Sequence, residues 1–244
     1  MKRFRSLVSL LLCLCVLVLC AGPAYAVDLS RKNAVEIKKE HCVINGFSTN
    51  QFSEGRPVII FFLGSQEYFA WLRSIEFIRK LKFFDSLDVD ILFITMKKSH
   101  LMYRRWEPAG RDVCEYLQEK YESAHFPIII DSVSFGGYGG IFLIGCLREA
   151  GIPVQELNLA DACNSNCVTA DMIREIAAGG TKVNIWGTTA KLNISANTRA
   201  IIEELEGTEN ISTIVLQCRH ANALNKAIYE HGLHSDLPKV SGEE

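Results

Sequence analysis

The sequence predicts an α/β fold: a mostly parallel sheet of about six or more strands, helices on both faces, and no large lid. Three observations carry this. From Arg56 onward, short apolar runs alternate with segments of helical period, strand then helix, throughout. The links between them are short, as in right-handed βαβ crossovers. Runs such as "PVIIFFLG" and "FPIIID" are continuously apolar, as strands covered on both faces are.

Taken in order, "PVIIFFLG" is the first strand of the run, and "QEYFAWLRSIEFIRKLKFF" follows with helical spacing. "DVDILFITM" is the second strand. Pro108 then opens a helix through "AGRDVCEYLQEKYES", at a position where its missing N–H costs nothing. "FPIIID" is the third strand, and "GGYGGIFLIGCLREAG" is an apolar helix closed by Gly151. "VQELNLAD" and "TADMIREIAAGG" form the fourth pair, "KVNIWG" and "NTRAIIEELEG" the fifth, "ISTIVLQC" and "ANALNKAIYEHG" the sixth. Residues 27–55 read as an irregular or β-containing lead-in, 56–234 as the domain, and 235–244 as a polar, frayed tail.

Residues 1–26 have the form of a secretory signal peptide. "MKRFR" is basic, "SLVSLLLCLCVLVLC" is apolar, and "AGPAYA" places Ala24 and Ala26 at an A-x-A cleavage site. A retained anchor competes with this reading, but the apolar core is short for a span. The expectation is cleavage after Ala26, a secreted or extracytoplasmic protein, and no stable membrane span afterwards. Loss of Lys2, Arg3 and Arg5 leaves 23 basic against 28 acidic residues, a net charge of −5. With no basic patch interleaved with aromatics, nucleic acid is not an expected partner. Six cysteines remain beyond the leader: Cys42, Cys114, Cys146, Cys163, Cys167 and Cys218. An even number in an exported chain permits disulfides, with no connectivity readable from spacing. Cys146 falls on an apolar helix, the setting of a buried thiol. "CNSNC" is open to a local bridge, to two separate bridges, or to two unpaired thiols. No second Cys or His pair stands at ligand spacing, so no metal and no cofactor are expected.

In parallel sheets, ligand chemistry gathers at the carboxyl ends of the strands. "DSVSFGGYGG" follows the third strand there. A nucleophilic serine needs an exposed Oγ, a nearby base and donors for the developing oxyanion. A tight strand–turn–helix also needs small residues two positions either side of the nucleophile. For Ser134 those are Ser132 and Gly136. For Ser132 they would be Ile130 and Ser134, and isoleucine is too bulky.

"SVSFGGYGG" after "FPIIID" resembles the nucleophile elbow of the α/β-hydrolase superfamily, to which serine esterases and lipases belong. A serine stands where G-x-S-x-G has its first glycine. The resemblance continues as strand–helix order from about Arg56 to Leu233. It implies the chain order nucleophile, acid, histidine. His220, two residues beyond "LQC", is then the base. His231 and His234 fall at the end of the last helix and in the tail, where a surface role is expected. The acid of this fold most often follows the second strand after the nucleophile, but that loop, "GTTAKLNISANT", has no carboxylate. Asp161, after the strand next to the nucleophile, is the implied acid, with Asn193 the neutral alternative for orienting the imidazole. The Phe135 backbone N–H is one implied oxyanion donor, aided by the helix N-terminus. The second would come from Ser65 or Gln66, after "FFLG", where many relatives carry H-G and this chain carries Leu63 and Gly64.

The resemblance implies hydrolysis of a carboxylic ester or related acyl bond through an acyl-enzyme. The partner is a small-molecule or polymer-borne acyl substrate. The same residues would serve an acyltransferase. The altered elbow and the empty acid loop also fit a catalytically inactive binding or structural protein on this scaffold. Tyr68, Phe69, Trp71, Tyr138 and Trp186 are the aromatics nearest the expected mouth. The sequence specifies no oligomeric state.

Overall fold

The computed structural model describes residues 35–47, 52–62, 83–84, 86–96, 106–163 and 167–240. The strands are β1 (Val35–Lys38), β2 (Cys42–Phe47), β3 (Val58–Phe62), β4 (Asp90–Met96), β5 (Ile128–Val133), β6 (Glu156–Ala160), β7 (Lys182–Thr188) and β8 (Ile211–Leu216). The helices are α1 (Trp106–Tyr121), α2 (Gly136–Glu149), α3 (Ala170–Ala178), α4 (Asn193–Leu205) and α5 (Ala223–His231). The strands make one sheet in the order β1-β2-β4-β3-β5-β6-β7-β8. β1 with β2 and β2 with β4 are antiparallel, and every later pair is parallel. The chain therefore steps outward from β3 to β4 and then returns past β3 to β5. In open α/β sheets such a reversal is where ligands bind, beyond the carboxyl ends of the strands.

Side-chain alternation sorts the core onto two faces. Val58, Ile60 and Phe62, Leu92 and Ile94, Ile128 and Ile130, Leu157 and Leu159, and Val183 and Ile185 share one face with the apolar sides of α1 to α4. α1 shows why it packs there: Trp106, Ala109, Val113 and Leu117 recur at helical spacing and are buried. Thr169 caps α3, its side chain accepting from the Met172 N–H at 3.3 Å. α5 packs on β6 and β7. On the face opposite the main core, Phe61 stacks on Phe93 with centroids 4.9 Å apart, and Phe84 meets Phe61 edge-on at 5.4 Å.

That second face also holds a polar ladder. Asp131, Asn158 and Asn184 stand opposite one another on β5, β6 and β7. Asn184 Nδ2 donates to Asn158 Oδ1 at 2.7 Å, and Asn158 Nδ2 donates to Asp131 Oδ1 at 2.8 Å. His234 Nε2 donates to Asp131 Oδ2 at 2.8 Å. All four side chains are buried. The surface role expected for His234 is therefore wrong. A carboxylate sealed under a sheet needs a charged donor, and His234 is that donor. Burial pulls the His234 pKa down, but the Asp131 charge and hydrogen bond outweigh it and carry it above the ordinary 6.5. Gly232 and His234 both adopt left-handed backbone, which turns the chain out of α5 and under the sheet.

At the N-terminus the β-containing alternative is the one present, and at the C-terminus the expectation of a frayed tail changes. The lead-in supplies β1 and β2, with Cys42 and Ile44 buried, so it extends the sheet. The tail is docked as far as Val240: Asp88 N–H donates to Pro238 O at 2.7 Å, and Val240 N–H to Ser86 O at 3.0 Å. The six cysteines beyond the leader carry no disulfide. They are scattered over β2, α1, α2, the segment after β6 and the segment after β8, so most are held apart by the elements that bear them. Cys146 is half-buried rather than sealed in the core. The leader and most of the helix read in "QEYFAWLRSIEFIRKLKFF" lie outside the described residues. No described helix is long and apolar enough to cross a membrane.

Candidate active site

Ser134 and Asp161 follow β5 and β6 directly. Val133 and Ala160 are register partners, so the two residues leave adjacent strands at the same level. Ser134 N–H donates to Ala160 O at 3.4 Å, and Asp161 N–H to Trp186 O at 2.6 Å, which carries the strand ladder into both turns. Both residues are left-handed, with φ 55° at Ser134 and φ 50° at Asp161. Such backbone is costly for a residue with a Cβ and persists only where its surroundings hold it.

The glycines of "GGYGG" provide that hold. A Cβ on Gly136 would lie 2.1 Å from Phe62 O, and one on Gly137 would lie 2.1 Å from Ala162 O. Only glycine lets α2 start pressed between the ends of β3 and β6. The Phe135 N–H, at the cap of α2, belongs to the donors that a helix leaves unsatisfied at its start. Gly140 explains Ser132. A Cβ on Gly140 would fall 2.3 Å from Ser132 Oγ. The small residue expected on the strand has moved to the facing helix. Ser132 Oγ is buried with no partner among the described residues.

His220 begins a short 3-10 turn (His220–Asn222) after β8. Its Nδ1 donates to Asp161 Oδ2 at 2.6 Å. Asp161, not Asn193, is thus the group that orients the imidazole. Two further donors reach the same oxygen, Ser195 Oγ at 2.5 Å and Thr188 Oγ1 at 2.8 Å. Thr198 Oγ1 accepts from Cys163 N–H at 3.2 Å, tying down the segment just beyond Asp161. Arg199 Nη1 donates to Thr188 O and braces the end of β7. So the loop that lacks a carboxylate is the loop that grips one. Burial pushes the Asp161 pKa up, but the hydrogen bonds from His220, Ser195 and Thr188 outweigh burial and hold the carboxyl below its ordinary range.

A mostly parallel sheet in this strand order, a left-handed serine after β5, an acid after β6 and a histidine after β8 decide the architecture. The chain has the α/β-hydrolase fold. Solved structures share it. An enterochelin esterase from Shigella flexneri superposes at TM-score 0.54 and 14% identity, over 83% of this chain and 57% of that one. A dienelactone hydrolase from Anabaena variabilis does so at 0.53 and 12%, over 84% and 97%. A hyperthermophilic esterase from Pyrobaculum calidifontis does so at 0.54 and 9%, over 82% and 81%. The chain thus spans little more than half the length of the Shigella esterase. No family model and no curated protein matches it.

Within this hydrolase fold, Ser65 lies outside the described residues, as do Leu63, Gly64 and Gln66. Of the aromatics expected at the mouth, Trp186 is placed elsewhere. It points to the α5 face, its ring 5.6 Å from that of His231. Tyr138 is half-buried on α2. Among the described residues, no group of three or more His, Cys, Asp or Glu side chains is arranged to hold a metal ion. Thr188 and Ser195 were missed in the sequence. The readable sign was a loop rich in hydroxyls where an acid was expected.

Proposed function

We propose that this chain is a serine hydrolase that cleaves a carboxylic ester or a related acyl bond through an acyl-enzyme. The observation that carries the reading is the part-buried Asp161–His220 hydrogen bond beside the left-handed Ser134 turn. With Nδ1–H held by Asp161, the lone pair of His220 sits on Nε2, the tautomer a general base needs. His220 takes the Ser134 proton as Oγ attacks the acyl carbon. The Phe135 N–H and the start of α2 receive the oxyanion, with a second donor from Ser65. Such a donor is worth about 10²–10³ in rate. The imidazolium hands its proton to the leaving alcohol, and water repeats the sequence to free the acid. Asp161 stays ionised throughout, because its pKa is held down, and its charge stabilises the imidazolium.

The substrate is an ester on a small molecule or on a polymer, and the enzyme is exported after cleavage behind Ala26. N-terminal sequencing of the exported chain should begin at Val27. A fluorophosphonate probe tests the chemistry. Labelling of the folded chain should occur and should vanish in Ser134→Ala. A folded wild-type chain that takes no label refutes the hydrolase and leaves an inactive scaffold. An alcohol acceptor that captures the acyl group in preference to water would make the enzyme a transferase on the same residues.

A further inference from the structure

Two thiols meet where α1 and α2 run side by side. A Cβ on Gly110 would lie 2.9 Å from Phe142 Cδ1 and 3.5 Å from the Leu143 backbone nitrogen. The helices touch there through their main chains. One turn further on, Cys114 follows Gly110 by four positions and Cys146 follows Leu143 by three, so both stay on the contact faces. The two thiols are near enough for each to shift the other's titration. They line one surface cavity of about 270 Å³ together with Arg111, Glu115, Gln118 and Glu149. A disulfide needs Cα atoms roughly 4.4–6.8 Å apart, and the close approach at Gly110 and Leu143 brings the two helices toward that spacing.

We infer that Cys114 and Cys146 are a redox pair that closes a disulfide between α1 and α2 when the chain meets a disulfide-class oxidant. The oxidant is a small-molecule disulfide or a thiol–disulfide oxidoreductase. The half-buried Cys146 reacts first. Its thiolate attacks one sulfur of the oxidant, forms a mixed disulfide and releases one thiolate. Cys114, deprotonated, then attacks Cys146 Sγ and releases the second. Both cysteines are oxidised, the oxidant is reduced to two thiols, and the two protons leave with them. Arg111, at the cavity wall, draws the Cys146 pKa down while burial draws it up, with burial prevailing. Burial, and then the neighbouring Cys146, pushes the Cys114 thiol up to about 12, so exchange should be slow at neutral pH and faster in base.

The closed loop would contain β5 and the Ser134 turn, so the bond would constrain the unfolded chain around the nucleophile. This does not depend on the hydrolase reading. The experiment treats the full chain, purified with reductant, with oxidised glutathione. It is then denatured with iodoacetamide, digested with trypsin and mapped without reductant. Asp112–Lys120 and Tyr121–Arg148 should appear as one cross-linked species that dithiothreitol separates. Cys146→Ser should abolish it. Cys114→Ser should leave Cys146 as a glutathione adduct. Recovery of both peptides alkylated, singly glutathionylated or joined to another cysteine in the folded wild type would overturn the inference.

Discussion

Ser132 and Gly140 should behave as one coupled pair. Gly140→Ala places a methyl 2.3 Å from Ser132 Oγ and 3.1 Å from Ile130 Cγ2. Carbon contacts settle near ~3.5–4.0 Å, so the hydroxyl must rotate or α2 must lift. Overpacking of this kind costs ~1–3 kcal/mol. The better helix propensity of alanine returns ~1 kcal/mol. The single variant should therefore lose about 1 kcal/mol. In a Ser132→Gly background the nearest obstacle is gone, and so is a buried hydroxyl with no partner among the described residues. There, Gly140→Ala should keep most of its ~1 kcal/mol helix gain. The coupling energy is then about 2 kcal/mol, above the few tenths that independent sites show. Urea unfolding of the wild type, both single variants and the double variant measures it, provided m is unchanged. Additivity within ~0.5 kcal/mol would refute the idea that the two positions share one requirement for smallness. Fluorophosphonate labelling of all four proteins checks that the turn itself is intact.

Two further predictions concern the Asp161–His220 and Asp131–His234 pairs. Ser195→Ala removes one of three donors from Asp161 Oδ2. A hydrogen bond to a charged group is worth ~1.5–3 kcal/mol, so kcat should fall about tenfold or more. The carboxyl should become more basic, moving the acid limb of the kcat/KM profile to higher pH; an unchanged profile would contradict the grip on Asp161. His234→Ala strips the buried Asp131 of its charged partner and should cost about 3 kcal/mol in urea unfolding. The folded pKa of His234 is raised, so its contribution is complete below the unfolded value of 6.5 and is lost as pH rises through the folded value. The stability gap between wild type and variant should narrow across that rise, and a gap that widens would count against the ion pair.

What was legible and what was not divides by sequence distance. Strand and helix order could be read because each element carries its own apolar period. Ser134 could be read because its turn needs small neighbours within a few residues. Asp161 and His220 were reached through the chain order of the fold. The lead-in could be read as irregular or β-containing, but the pairing of β1 with β2 and of β2 with β4 had no local sign, because the strands are short and half-polar with no strong turn signal. His234 was hidden because its partner lies far along the chain, and a tail histidine has no local signature. The clue was on the other side: Asp131 in "IIIDSV", Asn158 in "ELNLA" and Asn184 in "KVNIW" each put a polar residue in the interior of a mostly apolar strand. Three in succession mark a buried polar ladder that something must complete. Ser132 could be read as small enough to stand in for the first glycine, but the Gly140 that leaves room for its hydroxyl lies on the next element and gave no local sign.

The ladder also sets an order of events during synthesis. Asp131 and His234 are 103 residues apart. At ~5–20 residues per second, β5 leaves the ribosome roughly 5–20 s before the group that neutralises Asp131. Until then Asp131 must keep its water, so the face of β5 that bears it cannot close. The α1–α4 side can consolidate first, while the α5 side waits. A chain paused in that interval holds a half-built sheet with one wet face, a form open enough to be handed on unfolded.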